Sequence, residues 1–222
     1  KEEWIKQAID LITVIKQEEM ENIKNASKVI ADSFASDHVC YLFGSGHASI
    51  PVKEMYPRYG GVVGFLPIIT LPLSHFTDVV GDLGVFQFQF LERSEGYARS
   101  ILENYALHPE DTMIIFSNSG VTPVVVEMAL NAKKKNVKLI GVTSVEYSKQ
   151  LQSRHSSGKK LYELADIVID NCVPEGDVMI TIPTTNQKVG PGSTIGAIVV
   201  ANLITLKVIE TLLIKGYRPL VN

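Results

Sequence analysis

The run Ser117-Asn-Ser-Gly-Val-Thr122 gathers three hydroxyls, a carboxamide and a glycine into one short segment. Hydroxyls beside a helix start make a site for a dianion such as a phosphate monoester. The first N–H groups of a helix have no partner inside it, and the dipole is positive there. The flanking residues supply that setting. Thr112-Met-Ile-Ile-Phe116, bounded by the acidic turn Pro109-Glu-Asp111, reads as a buried strand. Thr122-Pro123 places a good N-cap before a proline suited to the first helical position. An ordinary βα turn with a capped helix has the same signature, so this loop alone leaves both readings open.

A second loop of the same kind lies upstream. His38-Val-Cys-Tyr-Leu-Phe43 reads as a strand, Gly44-Ser-Gly-His-Ala-Ser49 as a small-residue loop, and a helix follows to about Tyr59. Ser45, Gly46 and Ser49 offer hydroxyls and close backbone approach, and His47 sits where a helix start would meet the anion, able to donate to oxygen or act as an acid. The Gly-x-Gly lacks the third glycine of the dinucleotide fingerprint and no acidic residue follows at the required distance, which disfavours nucleotide binding. Glu54 shares the face of His47 two helical turns on, but also stands four residues before Arg58 as a surface pair would. Glu92 and Glu95 are further carboxylates, equally readable as a charged helix surface. Glu127 reads as structural, and His75 as a loop residue near a strand end.

These groups need a frame. Val62 to Thr70 reads as a strand broken by Gly64 and Pro67, residues 85–105 as one helix with an apolar side, Val137-Lys-Leu-Ile-Gly-Val142 and Asp166-Ile-Val-Ile-Asp170 as two more strands. An irregular run ending in Gln187-Lys-Val-Gly-Pro-Gly-Ser-Thr194 caps a final apolar helix. Alternating strands and helices predict an α/β three-layer sandwich with a five-stranded parallel sheet. In the flavodoxin-like order 2-1-3-4-5, the switch point falls between strands one and three, and the two hydroxyl loops then flank one crevice. Residues 1–35 carry apolar side chains at helical spacing, as one long helix or two with a break near Glu18-Glu19, packing on the domain or on a dimer partner.

Composition narrows the partners. With 222 residues the chain fits one α/β domain, and a net charge of −3 argues against nucleic acid. Lys133-Lys-Lys135 and Ser153-Arg-His-Ser-Ser-Gly-Lys-Lys160 read as solvated segments. Cys40 and Cys172, without metal-ligand spacing, read as buried thiols in a reducing compartment, and the N-terminal residues carry no apolar signal; the expected location is the cytoplasm. Thr194 to Ile214 is long enough to span a bilayer, but Asn202, Lys207 and Glu210 interrupt it, so it reads as a core or subunit-interface helix and no membrane partner is expected.

The combination resembles the sugar isomerase (SIS) domain family, phosphosugar-binding α/β sandwiches, over about Val39 to Gly216. Ser117-x-Ser119-Gly120-x-Thr122 matches that family's phosphate loop, and Gly44-Ser-Gly-His-Ala its first loop. Glu54 with Arg58-Tyr-Gly-Gly61, Leu91-Glu-Arg-Ser-Glu-Gly-Tyr-Ala98, the Ser153 segment and the Gln187 segment resemble a small, poorly characterised branch similar to phosphoheptose isomerases and N-acetylmuramic acid 6-phosphate etherases. The resemblance implies a single domain over 1–222, a homodimer or higher homo-oligomer, and a sugar phosphate held by Ser45, Gly46, Ser49, Ser117, Asn118, Ser119, Gly120 and Thr122. It implies Glu92, Glu54 and His47 as catalytic groups for an aldose–ketose isomerisation through an enediol; an amino-sugar-phosphate lyase or etherase and a non-catalytic sugar-phosphate sensor stay open. Lys188 and Ser193 are implied near a neighbouring subunit's site. Phosphoheptose isomerases place a functional histidine in the last helix, whereas nothing after His155 is histidine here, so no metal or other cofactor is expected.

Overall fold

Short runs of β-branched and aromatic residues become strands, and because helices cover both sheet faces these runs are apolar throughout. The computed structural model describes residues 2–75, 77 and 81–222. Strands β1 (Cys40–Gly44), β2 (Phe65–Ile68), β3 (Thr112–Phe116), β4 (Lys138–Thr143) and β5 (Ile167–Asp170) form one parallel sheet in the order β2-β1-β3-β4-β5. Every residue of β1 and β3 is buried. Their register pairs Cys40 with Thr112 and Gly44 with Phe116, so both strands end abreast and release their loops side by side. That is the expected switch point.

Side chains alternate between two cores, as the strand period requires. Leu42, Ile114, Ile140 and Ile169 face one layer of helices: α1 (Glu3–Glu18), α2 (Met20–Ala35), α3 (Ile50–Met55) and α10 (Ser193–Ile214). Tyr41, Phe43, Met113, Ile115 and Leu139 face the other: α4 (Leu71–Ser74), α6 (Tyr97–Leu102), α7 (Pro123–Lys134) and α9 (Leu161–Leu164). Each fully buried side chain of this size contributes about 1.5–3 kcal/mol. Helices α5 (Leu83–Glu92) and α8 (Val145–Gln150) complete the set.

Several boundaries differ from the reading of the sequence. The N-terminal region is two helices, broken at Glu19. The segment read as one helix over 85–105 is α5 and α6, separated at Gly96, whose φ of 92° lies in the left-handed region that glycine adopts without strain. The second strand is shorter than expected; Val62 pairs instead with Val221. Part of the run before α10 is an antiparallel hairpin of β6 (Ile180–Ile182) and β7 (Gln187–Val189), whose three-residue strands are too short to show alternation. Cys40 is buried but Cys172 only half-buried, and burial pushes both thiols up to about 12.

Helix α10 is by length and composition able to cross a membrane. Its Ala197, Val200, Ala201, Ile204, Val208 and Leu212 are buried in the first core, where it packs on α2 and α3, while Leu206, Leu213 and Ile214 are exposed.

Candidate functional site

At the carboxyl ends of β1 and β3 lies a cavity of about 220 Å³, and the two hydroxyl loops meet in it: Ser45 and His47 from one, Ser117, Asn118, Ser119 and Thr122 from the other. The second loop is tightly held. Gly120 adopts φ +65°, and a Cβ there would lie 3.0 Å from Thr143 Oγ1 and 3.1 Å from Ser148 Oγ, so the turn needs glycine twice over. Its amide donates to Ser117 Oγ at 3.1 Å, and its carbonyl accepts from the Leu161 amide at 2.8 Å. The Asn118 carbonyl accepts from Thr143 Oγ1 and from the Ser144 amide, and Asn118 Oδ1 accepts from Asn171 Nδ2 at 2.9 Å. The loop is thereby fastened to the ends of β4 and β5.

What this fastening leaves open is the useful part. Among the described residues, the amides of Asn118, Ser119, Val121 and Thr122 donate to no protein acceptor, and the Ser119 hydroxyl makes no hydrogen bond. Thr122 precedes α7 as expected, but its hydroxyl makes no capping bond; it lines the cavity instead. A cluster of uncommitted N–H and O–H donors at a helix start favours an anion through both hydrogen bonds and dipole.

The first loop divides. Ser45 lines the cavity, and its hydroxyl donates to Glu92 Oε2 at 3.5 Å. Exposed His47 lines it as well. Gly46 is buried under the Phe88 ring, and Ser49 spends its hydroxyl on the Gly46 carbonyl at 2.7 Å; neither lines this cavity.

The carboxylates separate in the same way. Glu92 ends α5 half-buried, behind Ser45 rather than in the cavity lining. Desolvation raises its carboxyl above the usual range, against the opposing pull of Arg93, Arg154 and the Ser45 hydroxyl. Arg154 is held beside the loop by its amide, which donates to the Val121 carbonyl at 3.0 Å. Glu54 pairs with Arg58 at 3.5 Å in a separate depression. Glu95 accepts from the amide and hydroxyl of Ser156, both at 2.6 Å. Glu127 accepts from the amides of Gly96 and Ala98, at the start of α6.

The far wall contains residues that the sequence did not single out: Tyr147, Asn171, Asp177 and Thr194, together with Ser193. Asp177 is the one carboxylate among the described residues lining the cavity. It caps α10, accepting from the Gly192 amide at 3.0 Å, the Ser193 amide at 2.7 Å and the Ser193 hydroxyl at 2.6 Å. The cap therefore comes from the far side of the hairpin, not from the Gln187 segment. Lys188 stands exposed on β7.

The family model described as SIS domain matches residues 3–144. A UPF0309 protein of Oceanobacillus iheyensis is 38% identical over 208 residues, covering 94% of this chain and 82% of that protein. A UPF0309 protein of Geobacillus kaustophilus is 32% identical over 208 residues, covering 94% and 80%. Among solved structures, a phosphoheptose isomerase from Neisseria gonorrhoeae is similar with a TM-score of 0.59 at 12% identity, over 92% of this chain and 94% of that one. An E. coli CFT073 protein in complex with a sugar phosphate is similar with a TM-score of 0.56 at 15% identity, over 98% and 90%. The Vibrio vulnificus NanR protein complexed with ManNAc-6P is similar with a TM-score of 0.53 at 12% identity, over 93% and 61%. At these identities the structural likeness is one of fold.

Proposed function

This chain belongs to the SIS domain family, where its relatives are UPF0309 proteins, and from that premise we propose that it binds a sugar phosphate and interconverts its aldose and ketose forms. The observation that carries the binding half is the cluster of uncommitted donors: four amides with the Ser119 and Thr122 groups around one helix start. The sugar-phosphate complexes of the structurally similar E. coli protein and of NanR support a phosphorylated sugar as the ligand class.

For the reaction, a base takes a proton from the carbon beside the carbonyl, an enediol forms, and the proton returns to the neighbouring carbon. Glu92 is assigned this role. Burial makes its carboxylate more basic, and Ser45 ties it to the cavity wall. His47 donates to the sugar oxygen whose charge develops in the enediol. Glu54, paired with Arg58 outside the cavity, is the alternative base. Gly46 and Ser49 then act by shaping the first loop, whereas Ser45, Ser117, Asn118, Ser119, Gly120 and Thr122 form the ligand's surroundings. A homo-oligomer belongs to the same proposal, because Leu83, Phe86 and Phe90 make an exposed apolar stripe on the helix that ends in Glu92.

Solvent-deuterium incorporation into a bound sugar phosphate tests the chemistry. Exchange catalysed by wild type and lost in Glu92→Gln is expected. Persistence of exchange in that variant would move the base to Glu54, and absence of exchange with every ligand that binds would favour the sensor reading, which the likeness to NanR keeps in play.

A further inference from the structure

On the other side of the first loop lies a second cavity of about 260 Å³, which meets the first at His47, a residue lining both. Half-buried Lys53 reaches into it from α3, its ammonium fixed by donation to the Ser74 carbonyl at 2.9 Å. Among the described residues no carboxylate lies within ion-pair distance of this ammonium and none lines the cavity. Beside it are two buried polar atoms without a hydrogen-bond partner, Ser74 Oγ and His75 Nδ1. Ser74 is only 7% exposed. Capping the last carbonyl of the single-turn helix α4 accounts for where Lys53 sits, but not for the two unpaired atoms. A buried polar atom left unpaired is costly, and a fixed ammonium flanked by a hydroxyl and an imidazole N–H is a donor set that an anion satisfies at all three points.

We propose that this cavity holds a second anionic group of the same ligand, so that the substrate is a sugar phosphate also carrying a carboxylate or a second phosphate. The inference rests on the phosphate-site reading of the 117–122 loop. Calorimetric titration with glucose 6-phosphate, glucose 1,6-bisphosphate and 6-phosphogluconate tests it, the last two separating phosphate from carboxylate as the second group. At least one doubly anionic probe is expected to bind roughly tenfold more tightly than glucose 6-phosphate, the scale of one charge-assisted contact. Lys53→Gln should abolish that gain while glucose 6-phosphate keeps its wild-type affinity, and Lys53→Arg should retain it. Ser74→Ala, which removes an unpaired hydroxyl and leaves the fold intact, should reduce it. Equal affinities in wild type, or a gain that survives both Lys53→Gln and Ser74→Ala, would overturn the second site and leave the first standing. Failure of all three probes to bind would overturn both.

Discussion

Ser117 and Ser119 differ in what loss of their hydroxyls should do. Ser117 Oγ accepts from the buried Gly120 amide, so Ser117→Ala leaves that N–H unpaired at a cost of about 1–3 kcal/mol. Melting should reveal it as a Tm lower by several degrees. Ser119 makes no internal hydrogen bond, so Ser119→Ala should leave Tm unchanged and weaken sugar-phosphate binding by roughly tenfold. Glu92 has a pH signature. Its folded-state carboxyl lies above the ordinary value, so the folded protein binds more protons than the unfolded chain between the two pKa values, and stability from this group falls as pH rises through that window. Glu92→Gln removes the penalty. The Tm of the variant minus that of wild type should therefore increase from acid to neutral pH; a constant difference contradicts the burial assignment. At this scale the hydroxyls and His47 were readable from residue type, because small polar residues between a strand and a helix have few other uses. Asp177 was not, since its partners Gly192 and Ser193 lie across an intervening hairpin and no local pattern joins them.

The elements follow from where apolar periodicity is strong. The five strands and the helix starts after β1 and β3 were legible, because their runs are apolar and bounded by turn residues. The break at Gly96 was not, since apolar residues continue on both sides of it and only φ distinguishes a glycine that bends from one that is tolerated. The same limit hid β6 and β7. Helix α10 depends on Asp177 for its start, so Asp177→Ala should cost about 1–2 kcal/mol, as loss of an N-cap does. For a chain of this size that lowers Tm by roughly 2–8 °C. Because Ser193 and Thr194 line the cavity, the variant should also bind sugar phosphate less tightly; unchanged affinity would remove the α10 start from the ligand's surroundings.

At the scale of the whole molecule, parallel pairing of β1 with β3 turns two loops far apart in sequence into one cavity. Topology could be anticipated from strand–helix alternation, but which carboxylate approaches the cavity could not, because helix spacing fixes a face and not what that face packs against. Glu54 and His47 share a helical spacing, yet only His47 lines the cavity. The exposed Leu83, Phe86 and Phe90 predict a homo-oligomer in sedimentation equilibrium, shifted toward monomer by Phe86→Glu with Phe90→Glu; a monomeric wild type contradicts that assignment. The claim on which everything else depends is that the 117–122 loop is a phosphate site. Thermal melting with a panel of sugar phosphates and their parent sugars tests it most directly. At a ligand concentration one hundred times Kd, binding stabilises by about 2.7 kcal/mol, a rise in Tm of roughly 5–10 °C. At least one sugar phosphate should produce that rise and its unphosphorylated parent should not, whereas equal shifts from both, or from neither across the panel, would contradict the account.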